Sequence, residues 1–413
     1  MSGGPQWGRR QLLRTGAAAL GGAGAGWSAA AAVAVTASTP EQTATTPDAG
    51  ATGASDGYQT VPALDVHQVG ISTPPQAHAT LLGWNLNPGS GVEQLRRMMR
   101  LLSDDAVRLA AGSPALADTE EELARFPSRL TVTFGFSPQL MARLLPRQRR
   151  PRLAELPTFG QDRLQEQWGQ SDVIAQVCAD DPITLAHARR MLTKDARAFA
   201  SIAWTQHGFR NARGTVPDGT TMRNLMGQVD GTVNPSPDDA DFDGLVWSDQ
   251  EGFAGGTFLV LRRIRMQMDR WDRVDRAGRE ATIGRRLRDG APLTGFSEFD
   301  EPDFEATDRF GFPVIDPASH VARAHSTDPA ERFLRRAYNY AVEDPDRSTG
   351  EDAGLLFLAY CADPARQFVP VQQRLDEQDR LNEWVHAIGS AVYAIPPAAR
   401  PDGYVGDVLL EEV

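Results

Sequence analysis

Asp230 stands between two glycines in Gly227-Gln228-Val229-Asp230-Gly231, part of a longer stretch that runs from Asn224 to Asn234. A carboxylate in a tight glycine-flanked turn is a candidate acid–base group. Downstream, His320 lies in Ser319-His320-Val321-Ala322-Arg323, and imidazole is a common nitrogen ligand for a metal. Arg335 follows in Phe333-Leu334-Arg335-Arg336-Ala337-Tyr338-Asn339-Tyr340. A guanidinium fixed in a strand can stabilise negative charge as it develops. Splitting a peroxide at an iron centre needs these three things. The iron takes an axial nitrogen, one group carries a proton between the two oxygens, and one cation faces the departing oxygen. Each segment also has a plainer reading: a surface Asp-Gly turn, a structural histidine, one half of a surface ion pair. Their joint occurrence in this order carries the argument.

The set resembles the dye-decolourising peroxidases. That family has a Gly-x-x-Asp-Gly turn with a distal Asp, a proximal His in a segment like Ser319-His320-Val321, and a distal Arg in a Leu-Arg-Arg-x-Tyr stretch. His67 to Pro74 and Gly354 to Tyr360 add to the likeness, which spans about Tyr58 to Pro396 and points to the exported branch that includes iron-associated members. The resemblance implies a haem b peroxidase. His320 would ligate the iron, while Asp230 and Arg335 would assist O–O heterolysis to a ferryl species. Hydrogen peroxide and small organic donors such as dyes and phenolic compounds would be its substrates. It also implies that Gly231, Thr232, Val233 and His325 approach the haem. Many relatives carry an Asn/His-Pro-Arg step where this chain has Ala324-His325-Ser326-Thr327, which leaves the propionate contacts open. The alternative is an iron-uptake protein that oxidises ferrous iron or releases iron from haem. Metal-bound histidines usually give their second nitrogen to a carboxylate. Asp363 is the candidate for that role, with a helix N-cap before Pro364 as the equal alternative.

Strands and helices must hold these residues. Ala79–Trp84, Leu130–Phe136 and Val173–Val177 read as strands by their β-branched and aromatic content. Val92, Leu95, Met99 and Leu102 recur at helical spacing, in a helix from about Val92 to Leu109. Ser137-Pro138 opens a short helix, and Pro182 opens a longer one reaching to about Ala203. Thr257–Leu261, Phe333–Tyr340 and Gly354–Tyr360 read as a second set of strands, before a helix from about Pro364 to Ile388. Two such rounds predict an α+β fold of two ferredoxin-like modules, of the dimeric α+β barrel type, with the haem in the C-terminal one. The expected boundaries are 58–220 and 221–413.

A charge of −12 over 413 residues disfavours a nucleic-acid surface. Two cysteines, Cys178 and Cys361, are too few for a disulfide scaffold, and they read as buried and free. Arg9-Arg10 before an apolar Ala/Gly-rich run, with a small-residue cleavage site at Val35-Thr36-Ala37, resembles a twin-arginine signal over residues 1–37. A Thr/Ala/Pro/Gly/Ser-rich linker over 38–57 follows. The implied partner is the twin-arginine export machinery, and the expected location is extracellular, cell-surface or periplasmic. Assembly into homo-oligomers is compatible with the sequence. Asp239 to Gly244 imitates a calcium loop, but its twelfth position is Gln250 and not the required Glu. Trp247, Trp271, Tyr338 and Tyr340 read as core aromatics or as an electron relay.

Overall fold

Strand β1 (His78–Leu86) sits between β3 (Val173–Ala179) and β4 (Ala200–Phe209), and β2 (Thr131–Phe136) adds to β3, all antiparallel. This computed structural model describes residues 56–63, 66–345 and 350–411, so the expected signal segment and nearly all of the linker lie outside the described residues. The order β2-β3-β1-β4 is that of a ferredoxin-like sheet. Its outer face is covered by α1 (Val92–Ala110) and α3 (Pro182–Ala196), with α2 (Pro138–Leu144) beside them. Ser137 caps α2 by accepting from the Leu140 N–H, as the Ser-Pro pair predicts. Leu95, Met98, Met99, Leu102, Ala106 and Leu109 form the buried stripe of α1.

The second half repeats the plan. Strand β5 (Thr257–Met266) lies between β9 (Val385–Ile395) and β8 (Glu351–Cys361). The short β6 (Leu334–Arg335) and β7 (Tyr338–Glu343) share the other side of β8. The order β9-β5-β8-β7 is again ferredoxin-like. The halves meet edge to edge at single register pairs, Phe136 with Ala394 and Phe209 with Asn339, and so close a barrel. At the first seam the buried Gln68 side chain fills the gap. Its amide donates to the Phe134 and Pro396 carbonyls and accepts from the Phe134 N–H. Alternate residues of both halves point inward, including Leu81, Ile174, Trp204, Leu259, Tyr338, Tyr360 and Tyr393, and they pack one shared interior.

Two expected helices are too long. The helix opened by Pro182 ends at Ala196, and Ala200–Phe209 is strand β4. The helix expected to reach Ile388 is α8 (Phe368–Gln378), and residues from Val385 onward form β9. In both cases ladder pairing overrides local helix propensity. The expected strand Phe333–Tyr340 is interrupted at Arg336-Ala337, which divides β6 from β7. Between β5 and β6 lie α4's successors in the chain, three short helices set in long loops. With α4 as Phe242–Val246, they are α5 (Met268–Trp271), α6 (Arg276–Ile283) and α7 (His320–Ala324). Cys178 and Cys361 are buried and free.

Candidate active site

Asp230 ends a miniature hairpin. Its N–H donates to the Met222 carbonyl, and Arg223 and Val229 form a bridge one step inward. Asn224 ties the turn by accepting from the Met226 and Gln228 N–H groups through its side chain. Gly227 occupies the left-handed region at φ 82°, where a β-carbon is disfavoured. Arg223 adds a clamp, donating to the carbonyls of Gly227, Leu287 and Arg288. The first glycine of the motif therefore shapes the turn, and the carboxylate is delivered at its end.

That carboxylate meets Arg335. Nη1 of Arg335 lies 3.2 Å from Oδ1 of Asp230, and the two side chains are 26% and 17% exposed. The pair is reachable from solvent without being a surface pair. The neighbouring Arg336 points the other way and is fully buried, donating to the Ile71 and Thr73 carbonyls and to Gln76. The alternation of a strand thus separates adjacent arginines, and the first of the two is the one at the site.

His320 opens α7, with Ser319 as the preceding extended residue. The close approach of α6 fixes this helix. Gly284 sits at φ 88°, and a β-carbon there would lie 2.3 Å from Cγ1 of Val321. The imidazole Nδ1 lies 2.6 Å from Oδ2 of Asp379, which is 3% exposed, while the ring itself remains 35% exposed. Burial disfavours the charged imidazole, but the charge and hydrogen bond of Asp379 overcome this, and Asp230 helps while Arg335 opposes. The balance holds the His320 pKa above its ordinary value. His320 is thus within electrostatic reach of the Asp230–Arg335 pair without touching it. An Nδ1–H donated to Asp379 would fix the tautomer and leave Nε2 free to accept a hydrogen bond or a metal.

Asp379, and not Asp363, is therefore the carboxylate partner. Asp363 instead accepts from the Ala365 and Arg366 N–H groups, the capping role given as its alternative. Asp379 lies 59 positions from His320 in sequence and has no local signature. Among the other expected contacts, Thr232 donates to Glu298, which also accepts from Thr221 and ties two loops beside Asp230. Gly231 adjoins Asp230 and accepts from the Asn234 N–H. Val233 is 63% exposed. His325 caps the end of α7 and lies against Phe304, with ring centroids 4.9 Å apart. Asp239 and Asp241 of the calcium-like loop both pair with Arg332. Sequence reading also passed over Arg285, a buried cation within electrostatic reach of Arg335. Trp271, Tyr338 and Tyr340 are fully buried, and Trp247 is stacked on His67.

A "Dyp-type peroxidase, N-terminal" family model matches residues 68–210, and a "Dyp-type peroxidase, C-terminal" model matches 221–400. The chain belongs to the Dyp-type peroxidase family. A dye-decolorizing peroxidase of Thermobifida fusca is 37% identical over 361 residues, covering 83% of this chain and 84% of the relative. The deferrochelatase of Escherichia coli K12 is 31% identical over 376 residues, covering 83% of this chain and 86% of the relative. The crystal structure of a DyP-type peroxidase from Cellulomonas bogoriensis matches with a TM-score of 0.83 and 50% identity, covering 87% of this chain and all of that one (100%). An oxyferrous complex of DtpA from Streptomyces lividans matches with a TM-score of 0.81 and 39% identity, covering 87% of this chain and 100% of that one. The protein is a peroxidase of this family, with the two-module α+β fold that its strand order displays.

Proposed function

We propose that this peroxidase binds haem b through His320 and uses Asp230 and Arg335 to cleave hydrogen peroxide. The reading rests on one observation. A single imidazole, bonded through Nδ1 to a buried carboxylate, lies within electrostatic reach of a solvent-reachable Asp–Arg pair. Among the described residues no cluster of three or more His, Cys, Asp or Glu could hold a bare metal ion. One histidine ligand fits a metal whose remaining bonds come from a macrocycle. When bound, the haem supplies the two electrons that reduce the O–O bond. The chain's own groups do the rest. Asp230 takes the proton from the peroxide oxygen nearer the metal and returns it to the far oxygen, which leaves as water. Arg335 orients the peroxide and stabilises the charge on that far oxygen while the bond breaks. Its ion pair with Asp230 holds the carboxylate in place beside it. Asp379 keeps His320 turned toward the metal and strengthens it as a donor. Small organic donors, dyes and phenolic compounds among them, return the electrons.

An absorption spectrum of the purified, haem-supplied protein tests this, taken before and after one equivalent of hydrogen peroxide. A Soret band that shifts with peroxide and returns when a phenolic donor is added is the expected result. Colourless protein would overturn His320 as a ligand. Relatives named deferrochelatase motivate a second reading, in which the same site releases iron from haem. A metal-free porphyrin spectrum appearing under reducing conditions would favour it. We further propose export by the twin-arginine route, on the strength of Arg9-Arg10 and the apolar run after it. Replacing both arginines by lysine should retain the protein in the cytoplasmic fraction.

A further inference from the structure

The turn that presents Asp230 grips Arg335 at a second point. Asn234 Oδ1 accepts from the Arg335 N–H at 2.9 Å, and Asn234 Nδ2 donates to the Arg335 carbonyl at 2.6 Å. This side-chain amide pairs with one peptide unit as a neighbouring strand would. The opportunity comes from the alternation of β6. Arg336 sends its N–H to Leu358 on β8, so the Arg335 N–H and carbonyl face outward, away from β8. Among the described residues no strand covers that side, and Asn234 occupies it. Asn234 is in turn fixed to the acid–base residue. Its N–H donates to the Gly231 carbonyl at 3.0 Å, closing a four-residue turn directly after Asp230. Between the two ends of this turn, the Thr232 hydroxyl donates to Glu298. One rigid turn therefore holds the guanidinium of Arg335 at one end and its backbone at the other.

We propose that Asn234 is a positioning residue for Arg335, setting where its guanidinium stands relative to Asp230 and to bound peroxide. This rests on the role proposed above for Arg335. Small displacements at a reacting centre cost about 100-fold in rate. Loss of both Asn234 bonds should therefore lower kcat/KM for hydrogen peroxide by about 10- to 100-fold. The KM for the organic donor should be unchanged.

The experiment compares Asn234→Ala, Asn234→Asp, Arg335→Ala and the double variant Asn234→Ala/Arg335→Ala as haem-loaded proteins. Asn234→Ala should lower kcat/KM for peroxide and speed amide exchange at Arg335. In the Arg335→Ala background the same change should cost nothing further, because Asn234 acts through the guanidinium. Asn234→Asp keeps the acceptor for the Arg335 N–H but sets a carboxylate oxygen against the Arg335 carbonyl. On protonation it regains a donor, so its activity relative to wild type should recover toward low pH. Asn234→Ala should show no such recovery, and this contrast remains informative should the alanine variant fold poorly. Wild-type kinetics and wild-type exchange in Asn234→Ala would overturn the inference. An equal loss with and without Arg335 would overturn it as well. Full peroxide turnover in Arg335→Ala would instead overturn the function proposed for Arg335, separating the two failures.

Discussion

The two halves of the barrel share a strand order and differ in what joins their first two strands. In the N-terminal half, α1 links β1 to β2, and its whole inner stripe is buried against the sheet. In the C-terminal half, residues 267–333 stand in the corresponding place between β5 and β6. Their α-helices are the short α5, α6 and α7, and α7 buries none of its residues fully. The same connection makes a core in one half and carries His320 in the other. A helix packed along its whole length cannot leave an imidazole 35% exposed, and a loosely packed one cannot anchor a sheet. On the function proposed above, the repeated plan assigns stability to one copy and chemistry to the other.

Substitutions should separate the two roles. The largest effect is expected from Asp230→Asn or Arg335→Leu. Each should reduce peroxide turnover by about 10²- to 10⁴-fold, measured as kcat/KM, with little change in melting temperature. Leu102→Ala, on the buried face of α1, should do the reverse. It should cost about 2–5 kcal/mol in denaturant unfolding, while activity per folded molecule is kept. A loss of activity at permissive temperature would show that the halves are less separate than their connections suggest. Asp379→Asn should weaken retention of the metal group by about 10- to 100-fold, read by transfer of haem to an acceptor protein.

The smallest expected effect concerns α1 and α3. Asp195 on α3 has its pKa pushed up to about 8, first by burial and then by its hydrogen bond and repulsion with Asp105 on α1, while Lys194 opposes. A carboxyl whose folded pKa is raised from 3.8 binds more protons folded than unfolded between those two values. Its contribution to stability is therefore greatest at low pH and declines as pH rises from about 4 to about 8. Asp195→Asn should flatten that decline, seen as a melting temperature shifting a few degrees less between pH 5 and pH 8. An unchanged slope would show that the two carboxyls do not share a proton.

Much of this arrangement was legible in the sequence where the signal is local. The Asp230 turn, Ser137-Pro138 and the stripe of α1 each carry their cue within a few residues, and each stands where it was expected. What was hidden depends on distant pairing. Ala200–Ala203, the start of β4, read as the end of the preceding helix, because only β1 beside it makes it a strand. Val385–Ile388, the start of β9, was absorbed into a helix for the same reason, with β5 as the deciding neighbour. Asp363 looked like the partner of His320 because it follows a strand, whereas Asp379 is brought in by the packing of α8 beside α7. Asn234 lay inside the motif stretch, but its role became visible only with Arg335 across from it.

The seams between the halves have one more consequence. An isolated ferredoxin-like sheet ends in two open edges, and open edges invite other chains to add strands. Here β2 faces β9 and β4 faces β7, Gln68 plugs the gap in the first seam, and Asn234 occupies the outer side of β6. Each copy thus shields the other from runaway association. Among the described residues, the closed barrel thus leaves helices and loops, more than strand edges, for contact with other molecules.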